Sequence, residues 1–138
     1  NLKQRRSVDM ANAVWVGVGG ALGALLRFGM TGCVNRLAAG PFPWGTLSVN
    51  LIGSFCVGLV VGFLESTASA ASAETLRLFL VVGVLGGFTT FSAFSAENLG
   101  LLRNGHYGFL ALNVTVSVVL GVALTFAGYA LSRHLLGR

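Results

Sequence analysis

The sequence predicts an all-α integral membrane protein with four transmembrane helices per subunit, and three observations lead to this fold class. Hydrophobic residues make up 54% of the 138 residues and charged residues only 9%, whereas an ordinary soluble domain is about 25% charged. The mean hydropathy is +0.81. Charge-free runs, each about 17 residues or longer and able to cross a core of roughly 30 Å, occupy positions 10–26, 37–64, 78–96 and 104–132. The expected surroundings are therefore a lipid bilayer.

The first helix is predicted at about 13–34 and follows a polar segment, residues 1–9. We interpret this segment as an extension that is either foreign to the domain or disordered, so that one membrane domain covers 10–138. The basic residues before an apolar run imitate a secretory signal peptide. Three further apolar runs follow in place of a polar mature domain, so this helix is expected to be retained.

The other three helices are predicted at about 46–64, 76–102 and 107–135. Pro41 and Pro43 place the end of the first connection outside the helices, because proline lacks the N–H donor that a helix interior needs. The Ser- and Ala-rich stretch Glu65–Glu74 is predicted to be the longest loop. Glycine pairs at small-xxx-small spacing are interpreted as sites of close helix packing: Gly19 with Gly23, Gly58 with Gly62, and Gly83 with Gly87.

The net charge of +5 does not indicate a nucleic-acid partner, because the basic residues lie near predicted helix ends and form no basic face. Without the N-terminal segment, each side of the membrane receives three arginines: Arg77, Arg133 and Arg138 on one, Arg27, Arg36 and Arg103 on the other. A chain without such a bias has little to fix its direction of insertion, although Lys3, Arg5 and Arg6 would tip the balance if the N-terminal segment is native. We therefore expect insertion in both orientations and head-to-tail pairing.

The third predicted helix contains the most informative stretch, in which Gly86, Gly87, Thr89 and Thr90 lie far from either end. Paired glycines and threonines weaken a helix, and a carbonyl freed inside lipid must find another partner. Freed carbonyls suit a hard cation, whereas freed amides and hydroxyls donate to an anion. An ordinary packed helix, with threonine bonding back to its own carbonyls, explains the composition equally well.

Further polar or aromatic groups fall within the predicted spans. Phe91 and Phe94 share a helix face and can present positive ring edges. Polar groups at this depth are pairing or functional candidates, and they are Asn50 in the second helix, Asn113 and Ser117 in the fourth, and the ionisable Arg27 and Glu97. The acids and histidines are scattered and no nucleophile has a base nearby, so an enzyme is not expected.

Three segments together resemble the Fluc/CrcB fluoride channels of bacteria: GALLRF at 23–28, GTLSVN at 45–50 and GGFTTFSAFS at 86–95. The resemblance implies an antiparallel, dual-topology homodimer in the bacterial inner membrane, with the third helix broken at mid-membrane. It also implies two fluoride pores, passive export of cytoplasmic fluoride and a central structural sodium ion at the dimer interface. Ala93 departs from the pattern, since the family usually has threonine there.

The resemblance also implies roles for individual residues. Asn50 would donate to fluoride, and Phe91 and Phe94 would present ring edges to it. The backbone carbonyls of Gly86 and Thr89 would hold sodium. The remaining pathway residues by this resemblance are Thr90, Ser95, Glu97, Asn113 and Ser117 along the polar wall and Arg27 in the vestibule region.

Alternatives remain open at the level of sequence. A small proton-coupled multidrug or cation exporter has similar size, but it needs a membrane-embedded carboxylate where the first helix offers Arg27. A fluoride/proton antiporter would need a titrating group, and Glu97 is the candidate. A structural subunit of a larger membrane complex is favoured if the polar residues serve only as hydrogen bonds between helices.

Overall fold

The computed structural model describes residues 2–67 and 70–137, which are helical apart from short connections. The elements are α1 (Leu2–Leu37), α2 (Trp44–Thr67), α3 (Ala70–Arg77), a π-helix (Leu78–Leu85), α4 (Gly86–Phe88), α5 (Phe91–Arg103) and α6 (Tyr107–Leu135). Four stretches are long and apolar enough to cross a membrane: Met10–Leu37, Trp44–Ser66, Ala73–Arg103 and Tyr107–Leu135. The prediction of an all-α chain with four such helices is confirmed.

The helices extend further than predicted at several ends. α1 begins at Leu2, so the predicted separate tail is, from its second residue, a continuation of the first helix. Residue 1 lies outside the described residues. Extending an existing helix avoids the cost of nucleation, and leucine, lysine, glutamine and arginine all favour it. The apolar stretch of α1 still begins only at Met10.

The structure also corrects the prediction of a loop at Glu65–Glu74, which is helical where it is described. α2 continues through Thr67 and α3 begins at Ala70, while residues 68–69 lie outside the described residues. Alanine and glutamate are good helix formers, so the stretch rich in small residues prolongs both helices. The first connection is as tight as predicted, with Gly40 at φ +120°, a conformation that glycine adopts without steric cost.

The bundle is built from two close helix pairs. α2 packs along α6, and α1 packs along the π-helix and α4. A methyl group added at Gly58 would clash with the Thr125 carbonyl of α6, and one added at Gly23 would clash with the Val84 carbonyl. Because lipid offers no hydrophobic drive for association, this backbone approach is what holds membrane helices together. The interpretation of the glycine pairs as packing sites is confirmed.

The outer surface of the bundle is apolar. Phe28 on α1 is 82% exposed and Phe126 on α6 is 70% exposed. The buried apolar set is small by comparison and includes Val49 and Leu101. A soluble protein would place large apolar side chains inside, so this arrangement is that of a membrane protein.

Gly58→Ala should lower the thermal unfolding midpoint of the purified protein, because α2 and α6 must separate to admit the methyl group. Overpacking of this kind costs about 1–3 kcal/mol. The matched control is Gly17→Ala in α1, where an added methyl group meets nothing within 4 Å. Equal midpoints for the two variants would contradict the packing role of Gly58.

Candidate functional site

The helical path of the third span is interrupted at two residues between α4 and α5. Thr89 has φ −79° and ψ 157°, and Thr90 has φ −151° and ψ 120°, both extended conformations. The Thr90 side chain caps α5 by accepting a hydrogen bond of 3.2 Å from the Ala93 N–H. Threonine is a favourable N-cap because its hydroxyl satisfies an amide at the helix start.

Asn50 of α2 pairs with the backbone at the interruption. Its Oδ1 accepts from the Thr90 N–H at 2.8 Å, and its Nδ2 donates to the Thr90 carbonyl at 3.1 Å. The side-chain amide thus pairs with both polar groups of one extended residue, and Thr90 itself is buried, with 9% exposure. Since buried backbone groups must be paired, Asn50 stabilises the extended conformation of Thr90 in apolar surroundings.

Two backbone carbonyls lose their helical donors as a consequence. In a continuous helix the Thr90 N–H would donate to the Gly86 carbonyl, and the Ala93 N–H to the Thr89 carbonyl. These N–H groups donate instead to Asn50 Oδ1 and to the Thr90 hydroxyl. Arg27 Nη1 lies 3.5 Å from the Thr89 carbonyl oxygen. The Gly86 and Thr89 carbonyls, which the resemblance assigns to sodium, are therefore the two that lack their helical donors.

A pocket of about 340 Å³ lies at the interruption, between α2 and the third span. Asn50, Gly86, Thr89, Thr90 and Phe91 are among its lining residues. Its wall thus combines an amide, threonine side chains, backbone at the interruption and an aromatic ring.

The two predicted phenylalanines lie together at the start of α5. Phe91 is 80% exposed, and its ring centroid lies 5.6 Å from that of the half-buried Phe94, with the ring planes at 36°. Phe91 is therefore not a core residue of the single chain.

Glu97 belongs to a second polar group, one helical turn beyond Phe94. The Thr46 hydroxyl of α2 donates to Glu97 Oε1, while Glu97 Oε2 is buried with no hydrogen-bond partner among the described residues. Thr46 is 4% exposed and was not predicted as a site residue. Its position one turn before Asn50 on α2 was the available signal, since residues four apart share a helix face.

Asn113 and Ser117 form a third group, with a partner that the sequence reasoning missed. Asn113 is 1% exposed, and its Nδ2 donates to Asn98 Oδ1 of α5 at 3.0 Å. The Ser117 hydroxyl donates to Asn113 Oδ1 at 3.4 Å. Ser95, by contrast, donates to the Phe91 carbonyl of its own helix at 2.9 Å. The predicted residues thus lie in three groups along α5 and not in one cluster.

The fold and these groups define a multi-pass helical membrane protein with a polar pocket at a helix interruption. Residues 14–129 match the family model described as CrcB-like protein, Camphor Resistance (CrcB). The chain is 48% identical over 128 residues to a Thermus thermophilus protein named Fluoride-specific ion channel FluC, covering 93% of this chain and 100% of that one. An Agrobacterium fabrum protein of the same name is 46% identical over 127 residues, covering 91% and 99%. The chain therefore belongs to the CrcB family.

Asn50→Leu should destabilise the protein, because it leaves the buried N–H of Thr90 without a partner and removes one donor from the Thr90 carbonyl. Each unsatisfied group costs about 1–3 kcal/mol, so a clear fall in the thermal unfolding midpoint is expected. Ser48→Ala, on the same helix, is the control, since the Ser48 side chain makes no hydrogen bond to any residue that the structure describes. An unchanged midpoint for Asn50→Leu would show that Thr90 does not depend on the amide.

Proposed function

We propose that the protein is a fluoride-selective ion channel that passively exports cytoplasmic fluoride and so confers fluoride resistance. The relatives' name supports fluoride as the permeating ion. The observation that carries the proposal is the pairing of Asn50 with Thr90, which maintains an open helix interruption beside two phenylalanine rings. Such irregular backbone within a span is tolerated where it lines a cavity or pathway.

The chemistry of the pocket suits a small, strongly hydrated anion. Asn50 Nδ2 uses one of its two N–H groups on the Thr90 carbonyl, which leaves the second for an ion. The exposed edges of Phe91 and Phe94 carry positive quadrupole density. α5 begins at Phe91, so the positive end of its dipole lies at the pocket. These neutral donors can replace water around fluoride without holding it as firmly as a fixed cation would.

The pathway is proposed to form between two antiparallel copies of the chain in the bacterial inner membrane, with two pores per dimer. The single chain leaves Phe91 exposed and the pocket open on one side, so a second copy is needed to enclose an ion. Outside residues 1–9, the arginines are divided three and three between the two sides, which supports insertion in both orientations. Antiparallel copies would bring two interruptions together at the interface.

A structural sodium ion at that interface is part of the proposal. The carbonyls of Gly86 and Thr89 are the groups that lose their helical donors, and two copies would supply four such oxygens. Sodium is a hard cation that oxygen ligands hold well. When bound, it would neutralise the carbonyl dipoles at the interruption. Among the described residues, no cluster of three or more His, Cys, Asp or Glu offers a competing metal site.

Phe94→Ile and Phe91→Ile should each lower fluoride efflux from liposomes roughly fivefold or more, because an aliphatic side chain lacks the polarised ring edge worth about 1 kcal/mol or more per contact. Efflux would be followed with a fluoride electrode after an ionophore has made the liposome membrane permeable to potassium. Phe126→Ile, at an exposed position of α6, is the control. Wild-type rates in both test variants would show that the rings only pack.

The same assay separates the proposal from its alternatives. A channel moves fluoride without a proton gradient, whereas a fluoride/proton antiporter requires one and would depend on Glu97. An exporter would instead release protons when a cationic drug is added. Liposomes that show neither flux would favour a structural subunit.

Replacing sodium by N-methylglucamine throughout purification should lower the thermal unfolding midpoint of the dimer, because the Gly86 and Thr89 carbonyls would lose their cation. Returning sodium should restore the midpoint by mass action, with the gain growing with concentration. Potassium at the same ionic strength is the control for a general salt effect. A midpoint that follows ionic strength alone would overturn the sodium proposal.

A further inference from the structure

Asn98 lies on the same face of α5 as the two phenylalanines. Phe91, Phe94 and Asn98 are spaced by three and then four residues, which places their side chains along one side of the helix. At a rise of 1.5 Å per residue, Asn98 lies about 10 Å beyond Phe91 along the axis. It is half-buried, so a group moving along this face would reach it after Phe94.

The orientation of the Asn98 amide follows from its neighbours on α6. The Ser117 hydroxyl donates to Asn113 Oδ1, which directs Asn113 Nδ2 toward Asn98. Asn98 Oδ1 accepts that hydrogen bond, so the Asn98 amino group is directed away from Asn113. Within 2–67 and 70–137, no hydrogen bond uses Asn98 Nδ2. Two N–H donors are therefore available on an amide whose other end is fixed by a buried partner.

The neighbouring carboxylate makes such a donor necessary for an anion. Glu97 precedes Asn98 in the chain, and one of its carboxylate oxygens has no hydrogen-bond partner in the described part of the chain. Its charge would repel an anion on this part of α5. An amide held in position can offset this repulsion, since a preorganised donor needs no reorganisation to bind the ion. Because the amide is neutral, it does not trap the ion.

We propose that Asn98 is a further anion-binding residue, whose amino group donates to fluoride after the ion passes Phe94. Asn113 and Ser117 act as positioning residues for it, holding its carbonyl oxygen. This inference rests on the proposed channel function and extends the pathway from the helix interruption toward α6.

The test compares two substitutions in the fluoride efflux assay. Asn98→Asp keeps an oxygen that accepts from Asn113 Nδ2 but removes both N–H donors. Asn98→Ala removes the donors without adding charge, and alanine is well tolerated in a helix. Asn104→Asp, at the exposed end of α5, is the matched control. Size-exclusion elution and thermal unfolding midpoints are measured for every variant.

Both Asn98 variants should lose roughly tenfold or more of the wild-type efflux rate, the loss that follows from removing one hydrogen bond to a charged group. The aspartate variant should keep the wild-type elution, and the control should keep wild-type efflux. A purely structural role predicts a different pattern, in which aspartate retains the contact with Asn113 and therefore the flux.

Efflux by Asn98→Asp within about twofold of wild type would therefore overturn the inference. Loss in the aspartate variant with wild-type efflux in the alanine variant would also overturn it, since only the added charge would then matter. Wild-type protein that passes no fluoride would overturn the proposed function and this inference with it. Wild-type efflux with unchanged Asn98 variants leaves the channel standing without Asn98.

Discussion

The rest of the structure depends on one constraint: backbone polar groups within an apolar bundle must all find partners. A regular helix meets this constraint by itself, so an interruption survives only where another group supplies the missing hydrogen bonds. Asn50 does so for Thr90, through one donor and one acceptor on the same amide. The carbonyls of Gly86 and Thr89 lose their helical donors, because those N–H groups bond elsewhere. Asn50 thus diverts the donor of the Gly86 carbonyl and the Thr90 hydroxyl diverts that of the Thr89 carbonyl, which Arg27 Nη1 approaches to 3.5 Å.

Close backbone packing keeps this arrangement in place. Gly87 lies against the backbone of Gly20, and Gly23 lies against Val84 and Phe88, so α1 supports the third span directly before the interruption. The π-helix Leu78–Leu85 precedes it, and π-helical turns are rare and frequent at functional sites. A side chain on α1 at these positions would displace the segment whose end Asn50 must reach. The glycines therefore contribute to the site without touching it.

The sequence allowed the class and the number of helices to be predicted, because both depend on local signals. Around Gly86 and Thr90 the composition left an interruption and an ordinary packed helix equally open. The lengths of the apolar runs predicted the four helices, and Gly86, Thr89 and Thr90 indicated where the third helix is weakest. Helix ends were predicted too short because good helix formers such as those of residues 2–9 extend a helix whose position is set elsewhere. Thr46 and Asn98 were missed because their importance comes from partners 51 and 15 residues away, and such contacts exist only after folding.

Polar and aromatic groups follow one another along α5, and their order has a physical consequence. The N-terminal end of the helix offers the Asn50 amide and the Phe91 edge, the next turn offers Phe94, and the following turn brings Glu97 and Asn98. Positive dipole density is greatest at the first group and declines along the helix, while the acidic side chain lies at the last. In the proposed channel, an anion entering near Asn50 would therefore move from a more favourable to a less favourable potential. Weak neutral donors at each turn would keep that slope shallow, so that the ion could leave as well as bind.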